Sequence, residues 1–201
     1  ELDLREYENL MSIQRKNAQK NSRFEALLPS AINLDDETKF LGYELDSTES
    51  VVKLIFQNGE NVDCVASGDC VIILDQTPFY GESGGQVGDS GKLISKNNEV
   101  RVSDTQKVGN FYLHICHIEK GEVRVNQKLN AKIDLNRRNA ITSNHSATHL
   151  MHSALRNNLG THVQQKGSLV SEEKLRFDFS HKQKVTTEEI LKIEREVNYE
   201  I

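Results

Sequence analysis

The chain has 201 residues, a formal net charge of -5, 36% hydrophobic residues and 27% charged ones. That length supports one large domain or two small ones with real cores. No apolar run approaches the ~20 residues of a membrane-spanning helix, and no signal-peptide pattern opens the chain, so a cytoplasmic globular protein is expected.

Leu4 to about Ala18 predicts a helix with Leu4, Tyr7 and Met11 on one narrow side, followed by a loop with Pro29 and Asp35-Asp36. From about Thr38 to Ile133 the pattern changes to short β runs. Val51 to Phe56 ends at Asn58-Gly59, a hairpin-turn pair, and Val71 to Leu74 is wholly apolar. Phe111 to Ile118 and Val123 to Ile133 are further strand-like stretches. Many short strands with Gly, Asn and Ser turns predict a small β-barrel.

From about Asp134 to Leu159 a helix is expected, stopped by Gly160. Ala147, Leu150, Met151 and Ala154 form its core stripe, with Leu155 at the edge. Thr161 to Val170 is strand-like; a regular strand places Gln165 and Gly167 on one face and Lys166 on the other. Leu175, Phe177 and Phe179 alternate inward with Arg176 and Asp178 outward. A last helix starts at Thr186, whose side chain and Glu189 form a capping box, with Ile190, Ile193, Val197 and Ile201 as its buried face. Both termini read as cut from a longer polypeptide. The expectation is an α+β chain: a linking helix and loop over 1–37, a β-barrel over 38–133 carrying a glycine-rich loop, and a mixed α+β domain over 134–201, incomplete at its C-terminal end.

Three segments concentrate chemistry. His145-Ser-Ala-Thr-His149 puts two imidazoles four residues apart on one helix face, a spacing that lets them grip one metal ion. His152 lies on the same side, roughly opposite the apolar stripe. A bare HxxxH is more often a pair of solvated histidines. The second segment, Asp75 to Gly91, follows the apolar strand and carries Gly84, Gly85, Gly88 and Gly91 among Thr77, Glu82, Ser83, Gln86 and Asp89. It reads either as a ligand-cradling loop or as a glycine-rich turn, and it lacks the Lys-Ser/Thr of a phosphate-binding P-loop. The third segment, Gly160 to Gly167 with Arg176 and Asp178 after it, offers Gln164, Gln165 and Lys166.

Charge and cysteine usage add weaker signals. Between Ala131 and Val185 nine Lys or Arg stand against four Asp or Glu, and five of the seven histidines fall there. A polyanion has a place to dock, or these side chains decorate a solvated face. Cys64, Cys70 and Cys116 have no metal-ligand spacing and read as small buried thiols in a reducing compartment.

Leu74-Asp-Gln-Thr-Pro-Phe-Tyr-Gly-Glu-Ser-Gly-Gly-Gln-Val-Gly-Asp89, Asn144-His-Ser-Ala-Thr-His-Leu-Met-His152, Gly160-Thr-His-Val-Gln-Gln-Lys-Gly-Ser-Leu-Val170 and Leu175-Arg-Phe-Asp-Phe-Ser-His181 together resemble the editing region of alanyl-tRNA synthetases. The resemblance covers about Thr38 to Ile201 well and the amino-terminal helix more loosely. Free-standing alanyl-tRNA editing proteins share the glycine loop and HxxxH, but the preceding helix and the GESGGQVGD wording favour the synthetase.

The resemblance implies a hydrolase that removes serine and glycine from mischarged tRNA(Ala), inside a parent enzyme that ligates alanine to tRNA(Ala) with ATP and Mg. An alanine pocket rejects glycine and serine poorly, which is why a second sieve is needed. It also implies zinc held by the HxxxH pair, His145 and His149, plus a downstream Cys-x-x-x-His. This sequence contains no Cys-x-x-x-His; that pair would lie beyond Ile201. By the same resemblance Gln165 positions substrate or water, Thr148 and Thr77 shape the small-amino-acid pocket, and Lys166, Arg176 and Arg156 meet tRNA phosphates. A non-catalytic tRNA-binding fragment is the alternative. A metalloprotease is excluded, because no Glu follows the first histidine.

Overall fold

Six antiparallel strands close on themselves in the order β11-β7-β8-β9-β5-β2, with β2 pairing back to β11. The structure is a computed structural model that describes residues 37–201; the helix expected over Leu4 to Ala18 lies outside them. In chain order the strands are β1 (Lys39–Phe40), β2 (Ser47–Gln57), β3 (Glu60–Asn61), β4 (Cys64–Val65), β5 (Gly68–Leu74), β6 (Gln76–Thr77), β7 (Gly91–Ile94), β8 (Glu99–Val108), β9 (Phe111–Lys120), β10 (Val123–Arg124) and β11 (Lys128–Ile133). Helix α1 (Leu135–Leu159), the hairpin of β12 (Gln164–Val170) and β13 (Leu175–Ser180), and helix α2 (Thr187–Glu200) follow.

The barrel forms because its strands alternate. In β11, Leu129, Ala131 and Ile133 point into the core and Lys128, Asn130 and Lys132 point out. The apolar run of β5 is explained by burial on both faces. Cys70, Ile72 and Leu74 fill the barrel, while Val71 and Ile73 join Phe56 and Leu113 in a second cluster. Bulges in β2 at Val52/Leu54 and in β8 at Glu99/Val100 and Val102/Asp104 supply the bending that closure needs. Asn58 and Gly59 both take positive φ, 53° and 84°, and turn β2 into β3 as expected for this pair.

Helix α1 joins the two halves. Asp134 caps it, accepting from Arg137 N, while its own N–H donates to Ser90 O at the start of the barrel's β7. Gly160 ends it at φ 113°, with its N–H on Arg156 O. Its second half packs on the hairpin and α2 through Ala154, Leu155, Val163 and Ile193, with Met151, Phe177, Phe179 and Val197 against them. The Thr186–Glu189 capping box is present.

Several expectations fail locally. On α1 the fully packed positions are Ile141, Thr148, Ala154 and Leu155; Ala147 and Leu150 are only half-buried. On α2 only Ile193 is buried; Ile190 and Ile201 are 52% and 81% exposed, since one helix face contacts one neighbour over little more than a turn. Cys64 is exposed, whereas Cys70 and Cys116 are buried and face each other across β5 and β9 as free thiols. No described helix is long and apolar enough to cross a membrane.

Candidate functional site

The glycine-rich segment is both a turn and a docking surface. Ser83 and Gln86 exchange backbone hydrogen bonds around Gly84 and Gly85, whose φ values are 61° and 86°. This two-residue turn with positive φ at both central positions suits glycine. Gly85 has a second reason to lack a side chain: a Cβ there would sit 2.3 Å from Ser168 O. The turn lies flush on β12, where Val170 N donates to Gly85 O at 2.8 Å and Val87 N to Val170 O at 3.1 Å.

That docking brings Gln86 to helix α1. Nδ1 of His145 donates to Gln86 Oε1 at 2.6 Å. A ring nitrogen that donates fixes the tautomer, so Nε2 of His145 keeps its lone pair. His149 stacks on His145, with ring centroids 5.1 Å apart and planes 17° from parallel. Around them lies a cleft of about 140 Å³ lined by Gly84, Gln86, His145, Thr148, His149, His152, Gln165, Ser168, Val170 and Phe177. Thr148 is buried, and its hydroxyl donates to Asn144 O at 2.8 Å, so toward the cleft it offers only lone pairs. The histidines therefore line a cleft, with His145 half-buried and His149 at its exposed edge.

The cleft gathers four of the sequence-predicted site residues, His145, His149, Thr148 and Gln165. It does not include Thr77. Thr77 is fully buried, accepts from Phe79 N at 3.1 Å, and donates to His114 Nε2 at 2.8 Å. The direction follows from the other ring nitrogen, which donates to Ile72 O at 2.9 Å. Burial pushes the His114 pKa down to about 4, against the upward effect of that carbonyl. Thr77 is thus a strut of the barrel, since the strand-to-loop crossing turns its side chain inward.

Nor do Lys166, Arg176 or Arg156 line the cleft. Lys166 is the extra residue of a bulge between Gln165 and Gly167, so the simple alternation expected for this strand breaks. Arg176 lies on the outer side of the hairpin, 3.2 Å from Asp178. Arg156 donates to Val163 O at 3.4 Å at the end of α1. Among the described residues no group of three or more His, Cys, Asp or Glu side chains is placed to hold a metal ion. His145 and His149 alone supply imidazoles with the spacing of two ligands.

Sequence reasoning missed the arginines that orient the site. Arg138, on the first turn of α1, donates from Nε to both Asp89 carboxylate oxygens at 3.0 and 3.1 Å and from Nη1 to Gly42 O at 2.9 Å. Its side chain is 15% exposed and that of Asp89 only 2%. Arg137 donates to Gly88 O at 2.7 Å and to Glu172 at 2.8 Å, which lowers the Glu172 pKa. Two cations in a first turn oppose the helix dipole, and that was the available signal that they were tethered to acceptors.

The model of the tRNA synthetases class II (A) family matches residues 1–137, and the chain belongs to that family. It is similar along its length to alanine–tRNA ligases. It is 47% identical over 201 residues to that of Dichelobacter nodosus, 45% over 196 to that of Hydrogenovibrio crunogenus, and 44% over 201 to that of Haemophilus influenzae. These matches cover 100%, 97% and 100% of this chain. The chain spans 23% of the length of each of these relatives.

Proposed function

We propose that the cleft between the glycine turn and α1 is an editing centre, which hydrolyses the ester linking serine or glycine to tRNA(Ala). The parent enzyme in this reading ligates alanine to tRNA(Ala) with ATP and Mg, and works in the cytoplasm, where its three thiols stay reduced. The observation that carries the proposal is the Gln86–His145 bond, which orients one imidazole of the HxxxH pair beside its stacked partner.

His145 and His149 fit half of a zinc site, with the remaining ligands outside the described residues. Bound zinc would supply Lewis-acid chemistry, polarising a water or fixing the substrate's 3′ end. The chain's own groups do the rest. Gln165 reaches the cleft with an amide that both donates and accepts, suited to holding a water or the ester in line. Thr148 accepts from a small amino acid's polar group. Val170 and Phe177 keep part of the wall apolar, so a small aminoacyl group displaces water from it. Lys166, Arg176 and Arg156 are exposed and remain candidates for phosphate contacts outside the cleft. Similarity to ligases over the whole chain favours a synthetase over a free-standing editing protein.

The test is hydrolysis of Ser-tRNA(Ala) by this chain beside a version extended past Ile201, each with and without a zinc chelator. Activity only in the extended chain, lost with chelator, supports a zinc-dependent editing centre of which these residues are half. Activity in the short chain that ignores chelator makes the metal dispensable and puts Gln165 and Thr148 at the centre. No cleavage by either sinks the editing assignment and leaves a tRNA-binding module.

A further inference from the structure

Three neighbouring strands place a cation on the same rung of the barrel wall. Lys132 of β11 is the register partner of Lys92 of β7, and Lys92 that of Arg101 of β8. All three are exposed. Like charges directly opposite one another destabilise a sheet, so folding gives no reason for this row. Adjacent strands lie ~4.8 Å apart, and the row therefore spans roughly 10 Å.

The row lines a groove of about 670 Å³ where the barrel meets the start of α1. Ser90 and Ser103 add hydroxyls to the lining, and Asp134, Arg137 and Glu172 carry its remaining charges. Both of these acids are already engaged: Asp134 accepts from Arg137 N at the helix cap, and Glu172 from Arg137 Nε. Lys92 and Arg101 have carboxylates beside them, Glu99 and Glu119, but neither of those acids lines the groove. The side chains of Lys92 and Arg101 are 47% and 55% exposed, and ion pairs at that exposure contribute little, so another anion competes with them readily. Lys132 has no ion pair among the described residues.

The occupant that fits is an extended anion with several charges, which is the form of a phosphodiester backbone. The position of the groove agrees. Arg137 in the groove and His145 in the cleft stand on one helix, ~12 Å apart along its axis at 1.5 Å per residue. Glu172 of the groove closely follows Val170 of the cleft wall. A strand whose last nucleotide enters the cleft has its preceding phosphates within reach of the row.

We propose that the groove lined by Lys132, Lys92 and Arg101 binds the tRNA phosphate backbone just before the 3′ end held in the cleft. This rests on the editing reading above. It brings the barrel into tRNA binding, whereas Lys166, Arg176 and Arg156 lie outside the groove. Contacts of this kind add affinity and fix the register of the strand without reading its bases.

The experiment uses the full-length protein and compares wild type with the double variant Arg101→Gln, Lys132→Gln. The control is Lys53→Gln, Lys120→Gln, which makes the same charge change at exposed positions outside the groove. Kd for uncharged tRNA(Ala) is measured across a salt series, and KM and kcat for Ser-tRNA(Ala) hydrolysis at low salt. The groove variant is expected to bind about tenfold more weakly at low salt. Its slope of log K against log salt should shrink by about 1.5, since each lost phosphate contact removes about 0.7 to 0.9. KM should rise by a similar factor with kcat unchanged, and the control should keep wild-type values. Thinning a like-charge row does not lower the melting temperature, which separates lost binding from lost folding. A wild-type Kd and salt slope in the groove variant overturn the inference, and so does an equal loss in the control. A lowered melting temperature with unchanged tRNA binding also overturns it, and makes an acidic segment of the parent protein the occupant. Wild-type protein that binds tRNA(Ala) but leaves Ser-tRNA(Ala) intact overturns the editing reading, while the Kd comparison still decides whether the groove holds tRNA.

Discussion

Gln86 and His145, 59 residues apart in the chain, share the 2.6 Å hydrogen bond that ties the glycine turn to the histidine helix. The bond decides which nitrogen of His145 faces the cleft. Carboxamide partners of this kind hold a ligating ring in one tautomer and one orientation.

Replacing Gln86 with Leu removes that acceptor without adding bulk. If the proposed zinc site is correct, zinc affinity of the full-length protein should fall about 10- to 100-fold, the range for loss of a ligand's hydrogen-bond partner. Competition against a chromophoric chelator reads this directly, and unchanged affinity would separate His145 from any metal site.

Arg138 and Asp89 are a second long-range pair, buried where α1 meets the glycine loop. Asp89 also accepts from Tyr80 N at 2.7 Å, and Arg138 reaches Gly42 O and Pro78 O. Arg138→Met leaves the buried carboxylate unpaired and should cost about 3–5 kcal/mol in urea unfolding. Adding Asp89→Leu should recover part of the loss; a second, independent loss of equal size would show that the two residues are not coupled.

The glycines at 84 and 85 separate strain from collision. Both take positive φ, but a Cβ on Gly84 meets nothing within 4 Å, whereas one on Gly85 collides with β12. Gly84→Ala should cost only the left-handed conformation, about 1–2 kcal/mol. Gly85→Ala should cost clearly more and push the turn off β12, lifting Gln86 from His145. Equal melting temperatures for the two variants would refute the close approach at Gly85.

His114 makes stability depend on pH. Its pKa is about 4 in the fold against 6.5 for the unperturbed ring. Between those values the unfolded chain binds a proton that the folded chain refuses. The stabilisation is complete above pH 6.5 and is lost as pH falls toward 4, by about 3 kcal/mol in all at ~1.4 kcal/mol per pH unit. His114→Asn keeps a polar side chain but does not titrate, so its unfolding free energy should have a shallower slope over this window.

The legible parts of this protein are those set by neighbours in the chain. The i, i+4 spacing of His145 and His149, the Asp134 and Gly160 ends of α1, the Thr186–Glu189 box, the Asn58-Gly59 turn and the alternation of β13 all follow from backbone geometry over a few residues. Tertiary structure decided what those side chains meet. The resemblance assigns Thr77 to the small-amino-acid pocket; in the fold its side chain is buried in the barrel and its hydroxyl bonds to His114, 37 residues away. Lys166 lost its expected face to a bulge that only pairing with β13 reveals. Gln86 on His145 and Arg138 on Asp89 arise where the glycine loop, α1 and the hairpin dock. Periodicity sets the direction in which a side chain leaves its own element; the partner it finds depends on close packing of elements distant in the chain, which local pattern does not encode.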